Sequence, residues 1–244
     1  MRVGWAVWGA LGAAMAGVAA LLAGPPLWVL DGLAAGFPGC LYRVRTAEPL
    51  VALTFDDGPD EVTTPLILAE LRRHGARATF FLIGERVRGR EPLMRRLVEE
   101  GHEVGNHFMR DRPAILLSAE ERDRDLERAH GILARFGEPR WGRPASGWYS
   151  AGMVAAMSRR GYQCALGSVY PFDATIPSSR FASWHILRNV RPGAIMVLHD
   201  GGARGWRSAR TLRTVLPELR RRGYRVVTLS ELVPRPAPIP SVPE

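Results

Sequence analysis

The sequence contains no lysine, so all 33 of its basic residues are arginines. It also lacks a basic run interleaved with aromatic residues, which argues against a nucleic-acid-binding protein. The arginines are scattered along helical stretches, often near glutamate, as on solvated helix faces. The formal net charge of +9 leaves two explanations open. It reflects either genome composition or attraction to an anionic surface, such as lipid headgroups or an acidic wall polymer.

Cysteine is also scarce, with Cys40 and Cys164 as the only two in the sequence. They are far apart and form no Cys-X-X-Cys pattern, which excludes a zinc ribbon and a dithiol redox motif. We expect two isolated thiols that pack as small apolar groups, with a disulfide between them as the alternative outside the cytosol. The sequence shows no internal repeat, and its length suits one domain with a large core.

No charged residue occurs between Val3 and Leu30. As a helix, residues 3–23 would be about 31 Å long at ~1.5 Å per residue, close to the thickness of a bilayer's hydrocarbon core. Pro25 and Pro26 would end this helix, and Trp28 stands where interfacial aromatic residues occur. Residues 1–30 are therefore predicted to form a single transmembrane signal anchor with the rest of the chain outside the cytoplasm.

Cleavage as a signal peptide is the alternative fate of this segment, after a small-residue site such as Val18-Ala19-Ala20. Apolar character that continues through Leu33 favours the uncleaved anchor. We thus expect a single-pass protein of the cell membrane, or a secreted protein if the segment is removed. Arg43 and Arg45 run against this orientation, because positive charge prefers the cytoplasmic side.

From Leu50 onward, short apolar runs alternate with amphipathic stretches, the pattern of βα units. The predicted strands are 50–55, 78–83, 103–106, 140–143, 163–166, 194–199 and 224–229. The predicted helices are 63–74, 91–100, 118–136, 151–160, 179–189 and 208–222. Ser118 and Glu121 have the spacing of a capping box at the start of the long charged helix.

This alternation predicts an α/β fold with a parallel sheet. About seven units in ~190 residues favour an irregular (β/α) barrel, preceded by the transmembrane helix. The domain is predicted to span residues 50–233. A linker at 31–49 precedes it, and a Pro-rich tail at 234–244 follows it.

Ionisable side chains follow four of the predicted strands. In βα folds the carboxyl ends of the strands meet on one rim, where active sites lie. Each of these residues alone has an ordinary explanation as a turn, surface or capping residue. Their convergence predicts an active site made of Asp56, Asp57, His107, Asp111, Arg143 and His199.

These blocks resemble a known family. The run TFDDGP at 54–59 and the run GHEVGNH at 101–107 are similar to the first two motifs of the polysaccharide deacetylases with nodulation-protein-B homology. Arg143-Pro144 resembles their third motif, and Val197-Leu198-His199 resembles their fifth. The resemblance extends from about residue 51 to residue 232. It implies an irregular (β/α) barrel, in agreement with the alternation of strands and helices.

The resemblance also implies roles. Asp57 and His107 would hold a divalent metal, with zinc expected first and manganese or cobalt as alternatives. The metal would acidify a bound water and polarise an acetyl carbonyl. Asp56 would be the general base, kept ionised and oriented by Arg143, and His199 the general acid that protonates the leaving amine. A backbone N–H just after Arg143 would help to stabilise the oxyanion.

Asp111 departs from the family pattern, because the second motif usually has a second histidine there. Asp111 is then either the third metal ligand or the mark of a site that binds metal weakly. As a ligand, it would make an Asp-His-Asp centre formally neutral around a divalent ion, and such a centre acidifies its water less. We then expect an activity optimum at higher pH and more tolerance of manganese.

Two further motifs are altered. Ser146 stands where the third motif usually has an aromatic residue, and Trp148 and Tyr149 follow it as candidates for substrate contact. The fourth motif, which supports the catalytic histidine, is hard to find, and Asp173 is the nearest candidate.

The resemblance predicts a hydrolase that removes acetyl groups from N-acetylated amino sugars of a cell-wall or extracellular polysaccharide. An O-acetyl esterase acting on a glycan is the alternative within the enzymes. A catalytically silent, membrane-tethered glycan-binding protein is the alternative outside them, motivated by Asp111. The joint retention of base, acid and metal ligands argues against it. No oligomerisation surface is evident, so we expect a monomer.

Overall fold

The structure, a computed structural model, describes residues 24–233. The predicted transmembrane segment up to residue 23 and the tail from residue 234 lie outside the described residues. Within residues 24–233, none of the helices has the length and apolar character needed to cross a bilayer.

The described chain alternates strands and helices from Leu50 onward, as predicted. In chain order the strands are β1 (Cys40–Leu41), β2 (Leu50–Gly58), β3 (Thr79–Leu82), β4 (Glu103–Asn106), β5 (Trp141–Gly142), β6 (Gln163–Ala165), β7 (Ile195–His199) and β8 (Arg225–Val227). The α-helices are α1 (Leu27–Gly36), α2 (Thr63–Arg73), α3 (Gly84–Val87), α4 (Glu91–Glu99), α5 (Ala119–Leu133), α6 (Ala151–Arg159), α7 (Ser179–Asn189), α8 (Gly202–Arg221) and α9 (Leu229–Leu232). Short 3-10 helices cover Ala114–Leu116 and Ala145–Gly147.

The strands form one sheet in the order β1-β6-β5-β4-β3-β2-β7, with β8 also paired to β2. All of these ladders are parallel, which confirms the predicted parallel α/β architecture. The segment after β6 also forms a parallel bridge from Val169 to Met196 on β7. The sheet therefore curls until the region around β6 meets β7, and its carboxyl ends share one rim.

Strand β2 shows why the rim holds polar groups. Val51, Leu53 and Phe55 pack in the main apolar core, together with residues of α2, α4 and α8. Ala52 belongs to a separate cluster with Phe81 and other inward-facing residues of the sheet. Successive side chains of a strand point to opposite faces. The alternation therefore carries Thr54 and Asp56 along the inner face of the sheet up to its carboxyl end.

The segment predicted as a linker, residues 31–49, is instead structured. It contains most of α1 and all of β1, and its Tyr42 packs in an apolar cluster with Leu30, Met153 and Cys164. The short strand β1 was missed because two residues carry no periodicity that a sequence pattern can reveal. Cys40 and Cys164 are register partners on β1 and β6, and both are buried, free thiols.

Helix α5 begins as predicted: Ser118 and Glu121 form a capping box, with hydrogen bonds of 3.2 Å and 2.9 Å. Helix α8 begins at Gly202, earlier than the predicted 208. Its first turns are rich in glycine and resemble a loop in sequence. A Cβ atom on Gly205 would lie 2.3 Å from Thr63 Oγ1, so glycine is what allows α8 to pack this closely on α2.

Candidate active site

Asp56 and Arg143 form a buried ion pair on the inner face of the sheet. Arg143 Nη1 lies 2.6 Å from Asp56 Oδ1, and the Arg143 side chain is only 2% exposed. The guanidinium also donates to the carbonyl of Ala165 at 2.7 Å and to Thr54 Oγ1 at 2.9 Å. It stacks 4.0 Å above the ring centroid of Phe81. These contacts fix Arg143 in one position, from which it orients the Asp56 carboxylate.

Asp57 lies at an irregularity of β2, where the register with β3 shifts between Asp56 and Gly58. Its φ of 73° is in the left-handed region, which is costly for a residue other than glycine and is concentrated at functional sites. Asp57 Oδ1 lies 3.4 Å from Nε2 of His107, the residue after β4. The irregular backbone therefore gives two consecutive carboxylates different partners.

His107 presents one defined nitrogen to Asp57. Its Nδ1 lies 2.8 Å from the carbonyl oxygen of Arg143. Since a carbonyl oxygen only accepts, Nδ1 carries a hydrogen, and Nε2 is the nitrogen that faces Asp57, where it either donates to the carboxylate or, without its proton, offers a lone pair to a metal. A second partner that fixes the imidazole in this way is typical of metal-ligating histidines. Asp57 and His107 thus fit a divalent metal as two protein ligands.

The charges around Asp57 favour its ionised form. Burial alone would raise the pKa of this carboxyl group, but the hydrogen bond and charge of His107, with the charges of His199 and Arg204, hold it well below its ordinary value. Arg204 Nη1 lies 2.9 Å from Asp57 Oδ2. Asp57 is therefore a carboxylate at neutral pH, as a metal ligand must be.

Asp111 is not brought to this pair. Its Oδ2 lies 2.7 Å from Nη2 of Arg86, and its side chain is 41% exposed. Arg86 also donates to the backbone carbonyl of Asp57. Within residues 24–233, no group of three His, Cys, Asp or Glu side chains is arranged to hold a metal. The part of the chain described here therefore fits a metal with two ligands, and Asp111 would have to leave Arg86 to become the third.

His199 is the last residue of β7 and pairs in register with Asp56 on β2. Its Nδ1 lies 3.0 Å from both carboxylate oxygens of Asp173, and its backbone N–H donates to Asp173 Oδ2 at 2.9 Å. Asp173 is buried, and its carbonyl accepts from Arg207 at 3.1 Å and 3.0 Å. The carboxylate holds one imidazole nitrogen and leaves Nε2 for the substrate side.

Burial disfavours the charged imidazole of His199. The hydrogen bond and charge of Asp173, together with the charges of Asp56 and Asp57, nevertheless raise its pKa above the ordinary value. The imidazolium form thus persists to higher pH than in a free histidine. Such a group is suited to donating a proton rather than to removing one.

Asp200 follows His199 but has a structural role. It accepts from Thr63 Oγ1 at 2.9 Å and also from the Thr64 hydroxyl group, so it ties the end of β7 to the start of α2. Burial raises its pKa to about 7.

The altered third motif, which begins at Arg143, is followed along the chain by a partly exposed turn and loop. Ser146 has a φ of 69° and lies in the 3-10 turn just after Arg143. Trp148 is 68% exposed beside it. Tyr149 instead packs edge-on against Phe37, and its hydroxyl lies 2.5 Å from that of Tyr42. Of the three residues, Trp148 is thus the one with a large apolar surface free for a substrate, and Tyr149 holds the N-terminal segment.

Sequence reasoning missed Arg86 and Arg204. Both contact Asp57, and each lies on a helix that follows a neighbouring strand: Arg86 in α3 and Arg204 in the first turn of α8. Nothing in a chain with 33 basic residues distinguishes these two arginines. The only available signal was their position shortly after the ends of β3 and β7.

The rim therefore carries three pairs of side chains. Arg143 holds the Asp56 carboxylate, and Asp173 holds the His199 imidazole. The third pair, Asp57 and His107, is suited to binding a metal. This is the arrangement of a metal-assisted hydrolase. Residues 43–165 match the model of the family Polysaccharide deacetylase. The chain is 37% identical over 195 residues to a peptidoglycan-N-acetylglucosamine deacetylase of Bacillus cereus, covering 79% of this chain and 92% of that protein. It belongs to the polysaccharide deacetylase family and is a hydrolase.

Other relatives agree in sequence and fold. A chitooligosaccharide deacetylase of Bradyrhizobium is 35% identical over 196 residues, covering 75% of this chain and 90% of that protein. The crystal structure of a peptidoglycan N-acetylglucosamine deacetylase superposes with a TM-score of 0.75 at 30% identity, covering 80% of this chain and 92% of that one. An acetyl xylan esterase from Clostridium thermocellum in complex with a cobalt ion has a TM-score of 0.68 at 31% identity, covering 75% and 89%. Deacetylases of this family generally depend on a divalent metal.

Proposed function

We propose that this chain is a metal-dependent deacetylase of N-acetylated amino sugars in a cell-wall or extracellular polysaccharide. The observation that carries the proposal is the register pairing of Asp56 with His199, each held by its own buried partner of opposite charge. A base and an acid on neighbouring strands suit the hydrolysis of an amide, which needs one proton removed and another delivered.

The proposed roles follow from these contacts. Asp56 takes a proton from the attacking water, and Arg143 holds the carboxylate in position for this. His199, held through Nδ1 by Asp173, delivers a proton from Nε2 to the leaving nitrogen of the sugar. A divalent metal held by Asp57 and His107 would polarise the acetyl carbonyl and lower the pKa of the water. A backbone N–H after Arg143, near Ser146, would help to stabilise the oxyanion.

The test is acetate release from chitooligosaccharides, peptidoglycan and O-acetylated xylan, before and after removal of metal by a chelator, with binding of the same glycans measured alongside. We expect release that stops with the chelator and returns with zinc, manganese or cobalt. Release from O-acetylated xylan alone would instead favour the esterase, the activity named for one structural relative. Bound glycan without any acetate release would favour the silent glycan-binding protein.

Replacement of Asp111 by histidine tests whether this residue is a metal ligand. A histidine would make the centre more positive and its water more acidic. We expect the acid limb of the pH–rate profile to move to lower pH and the metal preference to move from manganese toward zinc. Profiles measured with each metal check this. Asp123→His is the matched control, because Asp123 also pairs with a surface arginine, Arg160, at 3.2 Å. If Asp111→His changes neither property, Asp111 is not a ligand.

We also propose that residues 1–30 tether the enzyme to the cell membrane, with the deacetylase domain outside the cytoplasm. The uncharged segment 3–23 supports this, and so does the beginning of α1, where Leu27 and Trp28 are 52% and 76% exposed. Bulky apolar side chains at such a junction suit the bilayer interface.

Arginine substituted for both Ala13 and Ala14, in the middle of the segment, should release the protein from the membrane fraction. Each charge at a helix centre costs about 2.5–3.5 kcal/mol of insertion free energy. Arginine substituted for both exposed Ala119, on α5, and exposed Ala151, on α6, adds the same two charges and is the control, which should not change the fractionation. N-terminal sequencing of the mature wild-type protein distinguishes an intact anchor from a cleaved signal peptide.

A further inference from the structure

A cavity of about 400 Å³ adjoins the rim beside Asp57, and its walls come from three segments. Pro59 and Asp60 follow β2, Arg86 and Arg90 lie in and after α3, and the run from Gly201 to Arg204 begins α8. Three of the side chains that line it are guanidinium groups, and one is a carboxylate. The cavity is thus rich in hydrogen-bond donors that carry positive charge.

The single lining carboxylate accepts three hydrogen bonds from the backbone. Asp60 Oδ1 accepts from the N–H groups of Val62 and Thr63 at 2.9 Å and 2.8 Å. Its Oδ2 accepts from the N–H of Gly202 at 3.2 Å. Asp60 therefore joins the starts of α2 and α8, and its oxygens bond backbone N–H groups rather than the arginines.

The arginines connect the cavity to the catalytic rim. Arg204 Nη1 lies 2.9 Å from Asp57 Oδ2, and Arg86 bonds the Asp57 carbonyl and the Asp111 carboxylate. A ligand in this cavity would therefore lie next to the residues that surround the scissile acetyl group, rather than at a remote surface.

Arg90 has the weakest counterion of the three. Its Nε lies 3.4 Å from Glu61 Oε1, and Glu61 is 68% exposed. That Nε is buried, and it makes no hydrogen bond to any residue between 24 and 233. Its Nη1 donates to the carbonyl of Arg86 at 2.8 Å, which holds the side chain over the cavity. The Arg90 side chain as a whole is 30% exposed and lines the cavity, so the outer part of its guanidinium, rather than the buried Nε, is what an anionic ligand would contact.

We propose that Arg86, Arg90 and Arg204 form a subsite for a carboxylate carried by the glycan substrate, on a sugar next to the one that is deacetylated. This inference rests on the proposed function and narrows its substrate class to acidic glycans. The planar fork of a guanidinium matches a carboxylate with two parallel hydrogen bonds. The lactyl ether of N-acetylmuramic acid carries such a carboxylate wherever its stem peptide has been removed, whereas an N-acetylated chitooligosaccharide carries no ionised group.

The test compares two soluble substrates of equal length, both assayed by acetate release. One is a peptidoglycan tetrasaccharide without peptides, in which N-acetylglucosamine alternates with N-acetylmuramic acid. The other is fully N-acetylated chitotetraose, called chitotetraose below. We expect the wild-type holoenzyme to have the lower KM for the acidic tetrasaccharide. That advantage should shrink in about 1 M salt, where the Debye length falls to about 3 Å.

Arg90→Gln is the decisive variant, because Arg90 touches neither Asp57 nor Asp111. We expect it to raise the KM for the acidic tetrasaccharide, relative to that for chitotetraose, about tenfold, as for a lost charge-assisted contact. Arg88→Gln removes the same charge from a neighbouring exposed residue outside the cavity, and it should leave that ratio as in the wild type.

An equal effect of Arg90→Gln on both substrates, or the same effect in Arg88→Gln, would overturn the subsite. So would a wild-type preference for chitotetraose. Calorimetric binding of the acidic tetrasaccharide to wild type and Arg90→Gln provides a readout that needs no turnover. Weaker binding by the variant without acetate release from any glycan would contradict the proposed function and still support the subsite.

Discussion

Asparagine at position 56 is expected to lower the rate of acetate release by about 10²–10⁴-fold, the usual contribution of a general base. Asparagine has almost the shape of aspartate and still offers an oxygen to Arg143, but it cannot take a proton from water. The measurement is kcat/KM for acetate release from the best glycan substrate, with the metal content determined on the same sample.

The metal content of the variants distinguishes the proposed base, Asp56, from the proposed metal ligand, Asp57. Asp56→Asn should keep the wild-type metal content and lose turnover, whereas Asp57→Asn should lose the metal as well. Asp56 and Arg143 are both buried, and breaking such a pair costs about 3–5 kcal/mol of unfolding free energy. A thermal melt must therefore establish that Asp56→Asn is folded at the assay temperature. Wild-type turnover in folded Asp56→Asn would mean that another group is the base.

The strands and most helices could be predicted because apolar runs, amphipathic periodicity and helix-ending glycines are visible in the sequence itself. Strand β2 is apolar on both faces through Leu53, and glycines follow helices α2 and α4. The start of α8 was predicted late because its stability comes from the close packing of Gly205 on Thr63, a tertiary contact that helix propensity does not contain. The short strand β1 forms for the same kind of reason, since its pairing with β6 joins distant parts of the chain.

The candidate site likewise contains residues that the sequence could predict and residues that it could not. Asp56 and His199 could be found because Asp56 lies near the carboxyl end of β2 and His199 ends β7, so the rule on strand ends applies to them. Arg86 and Arg204 could not be found, because an ion pair between helices and a strand end leaves no pattern along the chain. Asp111 is the instructive case, since its position in the motif suggested a ligand and the structure pairs it with Arg86.

Replacement of Asp173 by asparagine should lower acetate release and move the alkaline limb of the pH–rate profile to lower pH. Burial favours neutral His199, and the hydrogen bond and charge of Asp173 are what overcome it and raise the pKa of the imidazole. A general acid must be protonated to act. Without the carboxylate, the pKa of His199 falls, so less of the enzyme carries the proton at pH 7–8. A shift of the alkaline limb shows that Asp173 acts by keeping His199 protonated. A simple loss of structure would lower the rate without moving that limb.

Stability provides an independent check on Asp173→Asn. Because the pKa of folded His199 is above its ordinary value of 6.5, protonation stabilises the native state. This contribution is fully present below pH 6.5 and disappears as the pH rises through the folded pKa. The difference in unfolding free energy between wild type and Asp173→Asn should therefore be largest below pH 6.5. Asp125→Asn is the control, because Asp125 is also buried but lies on α5 and pairs with Arg112 at 3.4 Å. An alkaline limb that moves equally in both variants, or in neither, would remove Asp173 from the mechanism.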